Sequence, residues 1–190
     1  MKAAVIALLI FLFHCCPALA DTARKELEIW TDISFDTTSI GGLDAAEVHG
    51  RKLVIGALRY SRPLIAHQSW TMDYTLDVIP VAIAFSSEVN AYGWGASPIG
   101  FSFKLAQSNK VHPFFDISGG FLHFDQAFPS PAGTQWNFTA TAGGGIRFQI
   151  SKHFLDAGYM FHHISNGREQ VQNPSLNTHV IFIGFVVLMR

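Results

Sequence analysis

A histidine and a serine two residues apart, His163 and Ser165, have residue types and a spacing that could do chemistry. In an extended strand, residues i and i+2 project from the same face, so the imidazole and the hydroxyl would lie side by side. A serine hydroxyl is a weak nucleophile until a neighbouring imidazole takes its proton, and the imidazole needs a partner at its other nitrogen. The pair could therefore serve in acyl transfer. Residue types and spacing alone favour the other interpretation, in which both side chains lie in the headgroup layer of a membrane and have no catalytic role.

Other catalytic or binding patterns are weaker. The chain has nine histidines, but His162 and His163 would point to opposite strand faces and no His-x-x-x-His pattern occurs, so we expect no metal site. The run Gly143-Gly144-Gly145 lacks the Lys-Ser/Thr that follows the glycines of a phosphate-binding loop. We expect these glycines to relieve crowding inside a barrel.

Two aspartates four residues apart, Asp73 and Asp77, share a predicted strand face. That spacing separates them too far for a catalytic dyad. We expect them to form ion pairs with Lys104 or Arg147 inside a barrel.

The elements that must position these residues are β-strands, because apolar and polar side chains alternate with a period of two from residue 21 onward. The clearest example is 135–150, where aromatic and aliphatic side chains alternate with Gln, Asn, Thr, Gly and Arg. The pattern predicts eight strands: 25–35, 52–60, 69–80, 101–106, 111–124, 135–150, 153–165 and 177–189. Turn-rich stretches at 39–44, 93–98, 128–134 and 166–175 separate them.

Residues 1–20 are typical of a secretory signal peptide, with Lys2, an apolar run over 3–13 and small residues ending at Ala20. The apolar run is about half the roughly 20 residues that a spanning helix needs. Cys15 and Cys16 both fall inside this segment, so the exported chain would carry no disulfide and no thiolate ligand. We therefore divide the chain into a signal peptide, 1–20, and a barrel domain, 21–190.

Composition favours a barrel in a membrane over a soluble one. The chain has 17 phenylalanines and only 14% charged residues, and its polar strand faces combine small residues with charges of both signs. This suits a narrow lumen filled by side chains, with aromatic residues facing lipid. The net charge of -1, without a basic run, excludes nucleic-acid binding. The sequence predicts an all-β, eight-stranded antiparallel up-and-down transmembrane barrel in the bacterial outer membrane.

The end of the seventh predicted strand and the loop after it resemble the lipid A 3-O-deacylase (PagL) family and its acyloxyacyl-hydrolase-like relatives. The resemblance is specific over about 135–190. It is carried by His163-Ile164-Ser165-Asn166 and Asn173-Pro174-x-x-Asn177, with support from Asn137-Phe138, 143–147 and 176–179.

The resemblance implies a serine esterase that removes the 3-O-linked acyl chain from the lipid A part of lipopolysaccharide, without a cofactor. Ser165 would be the nucleophile and His163 the general base. Asn166 and Asn173 would lie around the oxyanion, where donors stabilise the charge of a tetrahedral intermediate. The expected partners are lipopolysaccharide and outer-membrane lipids, and the chain would act as a monomer or a homodimer.

Asn177 departs from the family pattern, which has an acidic residue twelve positions after the serine. An asparagine can orient an imidazole, but it cannot offset the charge of an imidazolium. Three explanations stay open: a working His-Ser-Asn set, replacement of the acid by Glu169 from the same loop, or loss of activity. Gly167-Arg168 also stands where the family resemblance leads us to expect two small residues.

Two rival functions remain at this point. One is a non-catalytic outer-membrane barrel with a structural or adhesion role. The other is a barrel that binds a small molecule inside, although eight strands leave little lumen once side chains fill it.

Overall fold

Eight β-strands make up the computed structural model, which describes residues 25–36, 50–86, 89–105, 110–167 and 174–189. The strands are β1 (Glu26–Asp36), β2 (Lys52–Ala66), β3 (Trp70–Phe85), β4 (Ala91–Leu105), β5 (Val111–Phe128), β6 (Thr134–Ile150), β7 (His153–Ser165) and β8 (Ser175–Leu188). Within these ranges, no helix has the length and apolar character needed to cross a membrane. The predicted signal peptide, 1–20, and the predicted turn at 39–44 lie outside the described residues.

Each strand pairs antiparallel with the next along the chain, and β8 pairs with β1 to close the barrel. The closing ladder is long: it runs from Glu26 opposite Leu188 to Asp36 opposite Thr178. Closure leaves no strand edge with unpaired backbone groups, which is what a sheet surrounded by lipid requires. The predicted fold class is therefore confirmed.

The outer wall carries the apolar side of the alternation. Exposed aromatic rings lie near both ends of the strands, and aliphatic side chains predominate between them. At the end that contains Ser165, the exposed rings are Phe35, Phe85, Tyr92, Trp94, Trp136 and Phe138. At the opposite end they include Phe103, Phe115, Phe148 and Phe185. Two aromatic belts separated by an aliphatic band are typical of a barrel that spans a membrane.

The inner wall holds buried ion pairs centred on three cations. Arg59 on β2 donates from Nε to Asp77 at 2.7 Å and from Nη1 to Asp116 at 2.6 Å, with Glu28 3.8 Å away. Asp77 therefore pairs with Arg59, and the predicted pairing with Lys104 or Arg147 was wrong for this residue. Alternation places a charge on the inner face, but only the register between strands decides which charges meet.

The other two cations share one carboxylate. Lys104 Nζ lies 2.6 Å from Glu26 Oε2 and 2.6 Å from Asp73 Oδ2, as predicted for Asp73. Arg147 bonds the same Glu26 carboxylate at 2.9 Å and Asp156 at 2.7 Å. These pairs link β1, β3, β4, β6 and β7 across the lumen.

A small cavity lies inside the barrel, among the residues that the structure describes. Its volume is about 10 Å³, the size of one water molecule, and its lining includes Asp32, Asp77, Thr139 and His162. This cavity has no room for a small-molecule ligand.

One predicted turn is wrong. Residues 93–98 lie inside β4, and β3 continues to Phe85, so the connection between these strands spans 86–90. The glycines here serve close packing: a Cβ on Gly95 would lie 2.1 Å from the backbone oxygen of Phe121. The register shift between Ala96 and Ile99 marks a β-bulge. Glycine and proline within a strand often mark bulges and close backbone approaches. Because the same residues are common in turns, the sequence pattern predicted a turn here.

The Arg59 ion pairs yield a stability prediction. Arg59→Met leaves Asp77 and Asp116 buried without their cation, so we expect the free energy of unfolding to fall by about 3–5 kcal/mol. The measurement is urea unfolding of the refolded barrel in liposomes, followed by heat-modifiable mobility on gels.

The matched control is Arg62→Met, because Arg62 lies on the same strand but faces outward near its end. We expect this control to cost less than about 1 kcal/mol. Equal losses for the two variants would show that the lumen pairs have no special role in stability.

Candidate functional site

The end of β7 and the start of β8 bring the predicted residues together. These strands pair so that His163 lies opposite Asn177 and Ser165 lies opposite Ser175. Residues two apart share a strand face, and the exposed Tyr159 marks the outer face of β7, so His163 and Ser165 point outward. The strand period and the register thus place four polar side chains in one patch of the outer wall.

His163 bridges the other two side chains of the predicted set. Its Nε2 lies 3.1 Å from Ser165 Oγ, and its Nδ1 lies 2.7 Å from Asn177 Oδ1. An amide oxygen only accepts hydrogen bonds, so Nδ1 carries the proton and donates it to Asn177. Nε2 is then unprotonated and accepts from the Ser165 hydroxyl. This tautomer is the one that a general base for the serine needs.

The site is largely buried, although it lies on the outer face of its strands. Ser165 and Asn177 are both 7% exposed. Phe138 of β6 lies directly opposite Ser165 and is itself 53% exposed. The candidate nucleophile, Ser165, is therefore buried at the barrel wall, and the exposed Phe138 lies beside it on the neighbouring strand.

The chain turns sharply after the serine. Asn166 is fully buried, and Gly167 adopts a φ of +65°, a left-handed conformation that favours glycine. A Cβ on Gly167 would lie 2.6 Å from the Phe138 ring. Both facts explain a small residue at 167. Glu169 and Asn173, the alternative acid and the second oxyanion candidate, lie outside the described residues.

Sequence reasoning did not single out two polar residues of this patch, Ser175 and His179. Ser175 lies opposite Ser165, and His179 forms a hydrogen bond with the Tyr159 hydroxyl on the same outer wall. The Tyr159 and His179 rings are stacked, with centroids 5.5 Å apart. Counting in steps of two back from Asn177 and forward from it would have found Ser175 and His179, because all three share one face of β8.

A metal ion has no obvious place here. Among the described residues, no group of three or more His, Cys, Asp or Glu side chains could hold one. His162 points into the lumen and forms a hydrogen bond with Thr139, which separates it from His163.

Comparisons with known proteins identify the family of the chain. The sequence profile of the family described as lipid A 3-O-deacylase (PagL) matches residues 56–186, which is more than half of the chain. Among solved structures, the chain is similar to one titled "Crystal structure of the outer membrane enzyme PagL", with a TM-score of 0.64 and 12% identity. That match covers 85% of this chain and 99% of the other. A search of curated proteins found no match. The profile match shows that the chain belongs to the lipid A 3-O-deacylase (PagL) family of ester hydrolases.

Proposed function

We propose that this protein is a serine esterase of the outer membrane that removes the 3-O-linked acyl chain from the lipid A of lipopolysaccharide. The observation that carries the proposal is the bridging position of His163, 3.1 Å from the Ser165 hydroxyl and 2.7 Å from the Asn177 amide oxygen. A nucleophile, a base and an orienting group in this order are the parts that acyl transfer from an ester requires.

The reaction has two halves. Ser165 Oγ attacks the carbonyl carbon of the acyl ester while His163 Nε2 takes the hydroxyl proton. The tetrahedral intermediate collapses, the bond to the sugar oxygen breaks, and His163 returns the proton to that oxygen. Water then attacks the acyl-serine with His163 again as the base, which releases the fatty acid and restores Ser165. No step needs a cofactor.

Asn177 can orient the His163 ring, but it cannot offset the positive charge of a protonated His163. Its oxygen holds the Nδ1 proton of His163 and so fixes the tautomer, but a neutral amide stabilises the transient imidazolium less than a carboxylate does. We therefore propose a working His-Ser-Asn set that is slower than one with an acid. Glu169 is the alternative partner.

The distribution of connections supports access from the outer leaflet. The connections at the end of the barrel near Ser165 span 37–51, 86–90, 129–133 and 166–174. Those at the other end span 67–69, 106–110 and 151–152. Outer-membrane barrels have short periplasmic turns and longer extracellular loops. Ser165 would then face the lipopolysaccharide leaflet.

The wall beside the site suits an acyl chain. Ala140 lies opposite His163 and Ala142 lies opposite Phe161, so the β6 wall is shallow and apolar just below the catalytic group. Phe138 borders the top of this strip.

Lipopolysaccharide would reach the site laterally, from among the neighbouring outer-membrane lipids. The barrel would act as a monomer or a homodimer. The chain would be exported by means of a signal peptide that is cleaved after Ala20.

Loss of the proposed nucleophile or of its base should abolish the reaction. Ser165→Ala and His163→Ala should each lower deacylation by about 10⁴-fold or more, because the two groups act as a unit. Lipid A from a lipopolysaccharide-producing host that expresses each variant is analysed by mass spectrometry for loss of the 3-O-linked chain.

The matched control is His162→Gln, which alters the adjacent histidine on the opposite face of β7 and should leave deacylation intact. All variants are checked for heat-modifiable mobility. Unchanged lipid A on expression of the wild-type protein would contradict the proposed function and favour a non-catalytic barrel.

Mutation separates Asn177 from Glu169 as the partner of His163. Asn177→Glu should preserve or raise activity, because a carboxylate both orients His163 and offsets its charge, whereas Asn177→Ala should lower kcat by roughly 10²-fold or more. Glu169→Gln should have little effect. If Glu169→Gln abolishes activity while Asn177→Ala does not, Glu169 is the partner of His163.

A further inference from the structure

Ser175 is the first residue of β8 and lies directly opposite Ser165 in the register. It precedes Asn177 by two positions, so it shares the outward face of that residue. Its side chain is fully buried, and its hydroxyl has no hydrogen-bond partner within the described part of the chain. A buried, unpartnered hydroxyl thus lies beside the proposed nucleophile.

Such a hydroxyl needs an explanation, because buried polar groups are nearly always hydrogen-bonded and an unmet one destabilises the fold. The neighbouring polar atoms are engaged elsewhere. Ser165 Oγ bonds His163 Nε2, and Asn177 Oδ1 accepts from His163 Nδ1. A hydrogen-bond acceptor that arrives with the substrate accounts for a Ser175 hydroxyl that has no partner in the described residues.

We propose that Ser175 is a further catalytic residue, whose hydroxyl donates a hydrogen bond to the ester carbonyl oxygen as Ser165 attacks. This inference rests on the proposed function. Directly opposed residues of an antiparallel pair have Cβ atoms about 4.5–5.5 Å apart. A carbonyl oxygen on the carbon bonded to Ser165 Oγ falls between the two side chains, within reach of a donor on Ser175.

Ser175 acts as a donor and not as a second nucleophile. Both ring nitrogens of His163 already have partners, so no base removes the Ser175 proton. A hydroxyl donates far more strongly to an oxyanion than to a neutral ester carbonyl. Its contribution therefore belongs to the transition state, and it appears in kcat and not in KM.

Thr178 provides a matched control. It lies on the same strand, is 1% exposed, and also has a hydroxyl without a hydrogen-bond partner in the described residues. Three positions from Ser175, it faces the lumen instead of the outer wall. A general effect of losing a buried hydroxyl from β8 would affect both residues equally.

The test uses the full-length refolded barrel in detergent micelles with purified lipopolysaccharide, and compares Ser175→Ala, Ser175→Gly and Thr178→Val with the wild type. We expect both Ser175 variants to lose on the order of 10²-fold in kcat with KM nearly unchanged, as for removal of one oxyanion donor. Thr178→Val should keep the wild-type kcat. All variants should keep heat-modifiable mobility.

A fluorophosphonate gives a second readout. Ser165 Oγ displaces fluoride from phosphorus, the hydroxyl proton passes to His163, and the phosphoryl oxygen occupies the position of the oxyanion. Labelling of both Ser175 variants should slow in parallel with kcat, while labelling of Thr178→Val should match the wild type.

Three results would overturn the role of Ser175. They are wild-type kcat in Ser175→Ala, a change confined to KM, and an equal loss in Thr178→Val. A wild-type barrel that is labelled by the fluorophosphonate but leaves lipopolysaccharide intact would refute the substrate instead, and the labelling rates would still test Ser175.

Discussion

Every other feature of this protein depends on closure of the hydrogen-bond ladder between β1 and β8. Lipid offers no partner for backbone N–H and C=O groups, so a spanning sheet has to pair both of its edges with each other. Closure also fixes the positions of residues that are distant in sequence. Because β7 and β8 pair antiparallel within this closed sheet, the start of β8 lies against the end of β7, and Asn177 comes to lie opposite His163.

A closed barrel of eight strands has a narrow interior that must be filled, and here charged side chains fill much of it. Arg59, Lys104 and Arg147 each hold at least two carboxylates, one on an adjacent strand and one on a strand that is not adjacent in the sheet. Buried charges are costly unless they are paired, so the lumen favours one register over its alternatives. A fixed register matters for chemistry, because a shift by one residue would move His163 away from Asn177 and turn one of them inward.

The site follows from this rigidity. His163 contacts Ser165 of its own strand and Asn177 of the next strand, so the hydrogen-bonded set depends on the strand period and on the strand pairing together. A position on the outer wall suits the proposed substrate, which is itself a membrane component. The proposed nucleophile lies on the outer face of its strand, so the proposed reaction needs no pocket inside the barrel.

Strand alternation, read from the sequence, predicted which residues face the outside of the barrel and which face the lumen. The period of two separated the apolar outer wall from the polar lumen, and β7 runs over 153–165 as predicted. The His163–Ser165 spacing placed the proposed base and the proposed nucleophile on one face without knowledge of the fold, because side chains two apart on a strand share a face. Composition was less reliable where glycine served packing, and Gly93 to Pro98 proved to be part of β4.

The contacts between residues of different strands became known only from the strand register in the folded barrel. Register depends on the sum of contacts along whole ladders, so no local pattern revealed that Asp77 pairs with Arg59. For the same reason the sequence could name Asn177 only through a family resemblance, while the structure brought its oxygen to the His163 ring. Ser175 had no motif of its own. Its place opposite Ser165 arises from the pairing of β7 with β8, and its burial arises from the closed wall around it.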